Sequence, residues 1–549
     1  MTARAREGLS RIEVKERRRE IAQHLARFGL QPNSRWWLSS RGRTHRGEPY
    51  VHRVRAALEG LGPIFSAFGL YLSTRADLLP VQQCLELSAI PDRAAVTPAD
   101  AVFDLVEGEL GTSLEETYPG FEAEPFESRL LFQAHRARLR TGQRVVVEVI
   151  HPEMVSGLEA DAKLLDLVPE CLGRDEWADV QLVDALIDFR EALPRQVDLK
   201  YQAEALESLG ADIGTSDDLR APLVYRDLCT SMVLTREQLP GRNLSNLLPG
   251  LEESADGGVS IDREEMARTL FLAWLRRVFE GRPFPVEPLP CNTVALPGGR
   301  IAFTGGLLSS LAGDEKTKMW HYMVAAAEQN PDRACAILIQ EMERDAQSAD
   351  EDELRVRFRQ IVPFRDGGWS RERDNDTLVE YLFLHWRAMR DHGYRPRPHL
   401  LGFFRGLFSI ADLARRLAPD RDFLRECLME LRLRQGLVRL RQLAEPGQWN
   451  DLLMQNASMM MALPHQLDQA LTRAAKGDSR PPGAASETHS QRKNTRTAMT
   501  ALLFLVAAVV VWANYLSGLG TVPQGWIDGV GAVVFVLLGA LLLWAATRS

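Results

Sequence analysis

The chain lacks any cysteine pair spaced for a metal or a thiol–disulfide couple. Its six cysteines (Cys84, Cys171, Cys229, Cys291, Cys335, Cys427) are scattered and none forms C-x-x-C, so they are expected to be reduced core residues. It also lacks a basic excess. With 66 Lys and Arg against 74 Asp and Glu and a net charge of −8, there is no cationic field to collect phosphates, which argues against a nucleic-acid partner. No apolar stretch follows Met1-Thr2-Ala3-Arg4, so no cleaved signal peptide is expected. G-x-S-x-G, H-E-x-x-H and Walker sequences are missing. His135, His151 and His321 have no ligand spacing, and each is read as structural or surface.

What is present is a globular composition of 549 residues, 45% hydrophobic and 26% charged, long enough for two to four domains. Two apolar runs close the sequence: Ala501 to Leu516, broken only by Asn514, and Val530 to Ala546. Each approaches the ~20 residues that cross a hydrocarbon core, with Trp512, Trp526 and Trp544 near the expected interfaces. Arg492, Lys493 and Arg496 before the pair and Arg548 after it place both flanks in the cytoplasm by the positive-inside bias. The polar segment Lys476 to Thr495 reads as a flexible linker to this hairpin.

Upstream, Ser10 to Phe28 has the pattern of an amphipathic helix, and Ser39 to Arg46 is a basic loop suited to anionic headgroups. Helical periodicity runs from Val51 to Leu79. Leu139, a Thr141-Gly142 turn and Val145 to Ile150 read as a β-hairpin. Helices dominate from Glu159 to Leu206, strand character returns over Leu223 to Leu239, and Arg263 to Phe279 and most of Thr317 to Leu440 are helical. The segment Phe284 to Gly306 reads as loop, turn, strand and loop.

Several stretches resemble the UbiB/AarF family of atypical kinase-like proteins. Leu61-Gly62-Pro63-Ile64-Phe65-Ser66-Ala67-Phe68-Gly69-Leu70 through Ser73-Thr74-Arg75-Ala76-Asp77-Leu78-Leu79-Pro80 is similar to the family's G-P-x-F-x-K-x-G-Q-x-x-S-T-R-x-D-L-L-P. Gln133 to Leu139 is similar to Q-V-H-R-A-x-L, and Val145 to Pro152 to V-A-V-K-V-x-x-P. Phe284 to Asn292 and Ile301 to Gly306 correspond to F-H-x-D-x-H-P-G-N and a strand ending in D-F-G.

The resemblance implies an α+β, two-lobed protein-kinase-like fold, predominantly helical, with an N-terminal helical extension and a C-terminal transmembrane helical hairpin. The divisions expected are 1–50 (amphipathic helix and basic loop), 51–125 (extension), 126–240 (small lobe), 241–475 (large lobe), 476–497 (linker) and 498–549 (two membrane helices). It also implies a nucleotide site at Ala67, Gly69, Arg129, Glu148, Asn292 and Thr304. Glu287 stands at the catalytic position, and Glu287 and Asn292 at the metal positions. Most of these positions are substituted. The inward Lys and Gln of the extension are Ala67 and Leu70. The phosphate-binding Lys is Glu148 and its acidic partner is Gln196. The metal-binding Asp of D-F-G is Thr304.

Glu127, Ser128, Arg129 and Leu130 replace the small residues of the phosphate loop, where backbone must approach phosphate oxygens. One charge pair at ~4 Å is worth about 4 kcal/mol at an effective dielectric near 20, so reversing a sign shifts the balance by roughly twice that. Arg129 or another nearby cation is expected to pair with Glu148.

These substitutions point to a pseudokinase, and the resemblance implies that it acts as a regulator or accessory in isoprenoid-quinone or membrane-lipid metabolism. The setting the resemblance implies is the bacterial inner membrane, with the soluble region in the cytoplasm. The alternatives are an ATPase or kinase with a rearranged metal site, retaining ATP and Mg²⁺, and a lipid-binding module. No resident cofactor is expected under the first reading. The partners are membrane lipids together with quinone intermediates or a protein.

Overall fold

The computed structural model describes residues 11–30, 49–152, 161–172, 177, 180–211, 219–248, 262–311, 313–344, 350–361, 377–419 and 421–444. The chain divides into two compact units, Met1–Leu440 and Arg441–Ser549. The elements that follow belong to the first, apart from the last turn of the final helix. The expected basic loop, linker and membrane hairpin lie outside the described residues. Among the described residues no helix is long and apolar enough to cross a membrane.

The first unit is a mostly helical α+β assembly. Helix α1 (Arg11–Arg27) precedes α2 (Tyr50–Leu61) and α3 (Pro63–Ser73). Ile21 and Leu25 are fully buried, so the amphipathic face of α1 joins the core. Gly62 separates α2 from α3 with φ 113° and Pro63 opens the second helix, a position where φ > 0 favours glycine. Helices α4 (Val81–Leu87) and α5 (Ala99–Leu110) complete the extension.

A four-stranded antiparallel sheet follows, in the order β1 (Glu127–Ser128), β2 (Phe132–Arg138), β3 (Arg144–Ile150) and β5 (Val233–Glu237), where β4 is a short strand of the second sheet described below. The hairpin sits where the sequence pattern placed it, closed by Gly142 at φ 86°. Val145, Val147 and Val149 pack with Val102 and Val106 of α5. Because side chains alternate along a strand, Val146 and Glu148 therefore face the opposite side. The strand expected over Leu223 to Leu239 shrinks to β5, since Arg226–Leu228 turns as a 3₁₀ helix held by Leu228 N–H to Tyr225 O.

Helices α6 (Leu182–Gln196) and α7 (Leu199–Ala211) lead to β4 (Leu219–Arg220) of a second, mixed sheet. It runs β4, β9 (Ile301–Phe303), β8 (Thr293–Ala295), β6 (Arg242–Asn243). The long helix α8 (Arg263–Glu280) is capped by Asp262, whose carboxylate accepts from Glu264 and Glu265 N–H, a standard satisfaction of free N-terminal donors. Beyond β7 (Phe284–Pro285) and β10 (Leu308–Ser309), helices α9 (Glu315–Ala327), α10 (Pro331–Glu341), α11 (Glu351–Gln360), α12 (Leu378–Asp391), α13 (Pro398–Leu417) and α14 (Phe423–Ala444) build the larger region.

The pair α8 and α13 positions the loop that carries Glu287. The Trp274 indole N–H donates to Pro285 O at 2.9 Å and Arg277 Nε to Pro283 O at 2.6 Å. Trp274 also packs edge-on to Phe284 and stacks on Phe403. Gly402 and Gly406, one turn apart on α13, permit the close approach: a Cβ on Gly406 would lie 2.6 Å from Trp274 Cζ2 and 3.0 Å from Pro285 O. Gly406→Ala is therefore expected to lower stability by about 1–3 kcal/mol through overpacking. Urea unfolding measures this, and an unchanged midpoint would show that the loop yields.

Candidate functional site

Ala67, Leu70, Arg129, Glu148, Gln196, Glu287, Asn292 and Thr304 all line one cleft. They come from α3, the turn before β2, β3, the end of α6, the loop after β7 and the end of β9. Gly69 does not join them. Its Cβ position would lie 2.4 Å from Ile90 Cδ1 and 3.1 Å from Leu58 Cδ1, so this glycine serves helix packing on the far face of α3.

Glu148, Asn292 and Glu287 are each engaged by a guanidinium of the chain itself. Glu148 is held by Arg236, with Nε and Nη2 at 2.8 and 2.7 Å from Oε1. Of the two expected partners, Arg129 or another nearby cation, it is the second that pairs with Glu148: Arg236 sits two residues beyond Leu234, the residue directly opposite Glu148, on the same sheet face and within diagonal reach. Arg129 instead holds Asp92 (Nε to Oδ2, 2.8 Å), Asn292 (Nη1 to Oδ1, 2.6 Å) and Cys291 (Nη2 to Sγ, 2.9 Å), and lies over the Phe132 ring. The Cys291 thiol donates to Asp92 Oδ2 at 3.2 Å. Glu287 is met by the Arg405 guanidinium of α13.

The electrostatics follow from these pairs. Burial opposes charge on Asp92, but Arg129 and the Leu130 N–H outweigh it and hold the carboxyl below its usual range. Burial likewise opposes charge on Arg129, and Asp92, Cys291 and Glu127 together keep it above its ordinary value. Burial pushes the Cys291 thiol well up, which leaves it protonated and unreactive. Burial also raises Glu127.

Arg405, fully enclosed, is pulled down to about 10 by burial, with Arg75 adding repulsion. Its Nε donates to Thr74 Oγ1 at 3.0 Å and its charge lies 4.3 Å from the Tyr71 ring centre. The intact Ser73-Thr74-Arg75 and Asp77-Leu78-Leu79-Pro80 segment thus has a physical purpose. Arg75 is buried and bidentate to Asp77 (2.9 Å to each oxygen), with Asp188 at 2.7 Å and Tyr71 OH at 2.8 Å.

The donor set does not fit a nucleotide-bound metal. Asn292 Oδ1 already accepts from Arg129. The Thr304 hydroxyl and N–H both donate to Asn292 O, at 3.3 and 2.8 Å. Among the described residues no group of three His, Cys, Asp or Glu converges as metal ligands, whereas Mg²⁺ needs carboxylates together with substrate phosphates. The open space in the cleft is about 100 Å³, well short of the roughly 300–1,000 Å³ of ordinary ligand pockets.

The two histidines of the small sheet region are structural. His135 is fully buried, with Nδ1 at 2.9 Å from Glu122 O, and His151 bridges Thr97 Oγ1 and Arg129 O. Three residues that engage the cleft's side chains escaped sequence reasoning: Asp92, Arg236 and Arg405. Arg405 had a signal, a lone cation inside the apolar run Leu400 to Phe408, which reads as a buried charge in need of a partner. Asp92 and Arg236 had none.

The ABC1 atypical kinase-like domain model matches residues 89–338, a span holding most of the cleft. This match, together with the relatives that follow, supports membership of the UbiB/AarF family of atypical kinase-like proteins. The chain is similar to "Probable protein kinase UbiB" of Azotobacter vinelandii, 32% identical over 41% of this chain and 44% of that protein. The protein of the same name in Pseudomonas putida is 26% identical over 67% of this chain and 68% of its own length. The first of these matches thus spans under half of its relative. A solved structure, "The complex structure of Rv3197-erythromycin from Mycobacterium tuberculosis", aligns with TM-score 0.36 and 18% identity over 64% of this chain and 90% of that one, too slight a likeness to carry an argument.

Proposed function

We propose that this UbiB-family chain is a pseudokinase, acting as a regulator or accessory in isoprenoid-quinone or membrane-lipid metabolism rather than as a phosphoryl-transfer enzyme. It works at the bacterial inner membrane with its kinase-like part in the cytoplasm and needs no resident ATP or Mg²⁺. The observation that carries this reading is the trio of internal cations, with Arg129 on Asn292, Arg236 on Glu148 and Arg405 on Glu287.

Phosphoryl transfer rests on positioning and on metal ions that neutralise developing charge. Here the residues that would hold the metal are neutralised from within. An enzyme reading requires Arg129 and Arg405 to leave together, which strands Asp92 without its cation and the buried Arg405 without its counter-charge. The quinone and lipid setting rests on family analogy.

ATP turnover by the purified chain tests the proposal. The expected rate in millimolar Mg-ATP equals the blank and is the same for Glu287→Gln. A Mg²⁺-dependent rate lost in Glu287→Gln would reverse it.

A further inference from the structure

The final helix, α14, is apolar on two faces. Leu424, Cys427, Leu428 and Leu431 are buried on the inner one. On the outer one Met429 and Leu433, one turn apart, are 59% and 68% exposed, and the helical period places Gly436 and Leu440 on the same line. Scattered exposed apolar residues need no explanation, whereas a row of them along one element marks a contact surface.

Charge decides what covers this row. In a chain of net charge −8, Phe423–Ala444 carries five arginines (Arg425, Arg432, Arg434, Arg439, Arg441) against Glu426 and Glu430. Both glutamates are already engaged by arginines of other segments, Glu426 by Arg421 and Glu430 by Arg268. Arg432, beside the row, has its side chain 60% exposed, and its 2.9 Å pair with Glu328 is a surface pair of the kind that contributes little. Two copies packed row to row would set arginines against arginines, which opposes a helix pair. An anionic lipid surface complements them. Among the described residues no helix, this one included, is long and apolar enough to cross a bilayer, but a basic helix with an apolar row lies in the plane of the lipid interface. The same chain goes on to the apolar runs Ala501 to Leu516 and Val530 to Ala546.

We propose that α14 lies against an anionic lipid surface, with Met429 and Leu433 entering the acyl boundary and Arg432 meeting lipid phosphates. The inference rests on the membrane setting proposed above and adds the face by which the kinase-like part meets that membrane.

The full chain, reconstituted into vesicles of phosphatidylethanolamine and phosphatidylglycerol, tests it with a bimane label on Met429→Cys or Leu433→Cys and brominated acyl chains as quenchers. Both positions are more than half exposed, so the substitutions disturb no packing, and the unsubstituted chain gives the background from its own cysteines. Each label is expected to lose most of its fluorescence to bromines about 5–10 Å below the headgroups. A label on Leu223→Cys, 61% exposed and outside α14, should keep its fluorescence. Replacing phosphatidylglycerol by phosphatidylcholine should weaken the quenching, because attraction to anionic lipid is part of the binding; equal quenching in both lipids contradicts the anionic assignment. Vesicle flotation separates the two ways of failing. A chain that does not float with the vesicles contradicts the membrane setting and this inference with it. A chain that floats while both labels stay bright overturns the inference and leaves the setting standing. Bright labels together with a disulfide-linked dimer of Leu433→Cys show the row to be an interface between copies, which also overturns it.

Discussion

Glu148→Ala is expected to lower the free energy of unfolding by about 3–5 kcal/mol, as breaking one partner of a buried ion pair usually does. Both groups are nearly enclosed, Glu148 at 5% and Arg236 at 8% exposure, so the deletion leaves a guanidinium without its counter-charge against the low-dielectric sheet face. Arg236→Met should cost a similar amount for the mirror reason. The double variant Glu148→Leu/Arg236→Met removes both charges and refills the volume with apolar side chains. It should recover most of the loss, since replacing a whole buried pair is often neutral or stabilising. The readout is the urea midpoint at constant m-value. If Glu148→Ala leaves the midpoint unchanged, the pair is not contributing and the account of the inverted cleft loses its best-defined member.

Stability is also expected to fall as the medium is acidified below about pH 6.5, because of His385. Its ring is fully buried among Phe358, Tyr381 and Tyr322, with centroids 4.6, 4.2 and 6.1 Å away, and Nδ1 lies 3.4 Å from the Tyr322 hydroxyl. Burial pulls this imidazole down to about 3, whereas the unfolded chain titrates near 6.5. Between those values the unfolded state takes up a proton that the folded state refuses. The contribution is thus complete above pH 6.5 and is lost as pH falls towards 3. The slope is about 1.4 kcal/mol per pH unit, which amounts to on the order of 3 kcal/mol between pH 6.5 and pH 4. His135 is also lowered by burial and acts in the same direction. His385→Phe keeps an aromatic ring in the cluster and should flatten its share of the dependence. Urea midpoints measured across that pH range for both proteins would expose the difference, and parallel curves would contradict it.

Much of the architecture is legible in the sequence because its signals are local. The Thr141-Gly142 turn between β-branched runs specifies a hairpin, and the helical pattern over Arg263 to Phe279 specifies α8. The family motifs also placed Ala67, Leu70, Glu148, Gln196, Asn292 and Thr304 around one cleft, which they share. Partners were a different matter. Arg236 faces Glu148 only because the register pairs β3 with β5 across 88 residues, and Asp92 reaches Cys291 across 199. Nothing in a linear sequence encodes which of several arginines will span such a distance. A cation on Glu148 is legible from the sequence but its identity is not: Arg129 is nearby in the motif, yet its side chain satisfies Asp92 and Asn292 instead. Gly69 was misplaced for a similar reason. Its motif position suggests the cleft, while helical periodicity puts it on the face that meets Leu58 and Ile90.

The tightness of the cleft and its internal cations make one claim: there is no place in it for a triphosphate and its metal. Isothermal titration of the chain with ATP in the presence of millimolar Mg²⁺ tests this most directly. The account predicts no heat of binding at concentrations up to the millimolar range. Micromolar, Mg²⁺-dependent binding that disappears in Asn292→Ala would contradict it.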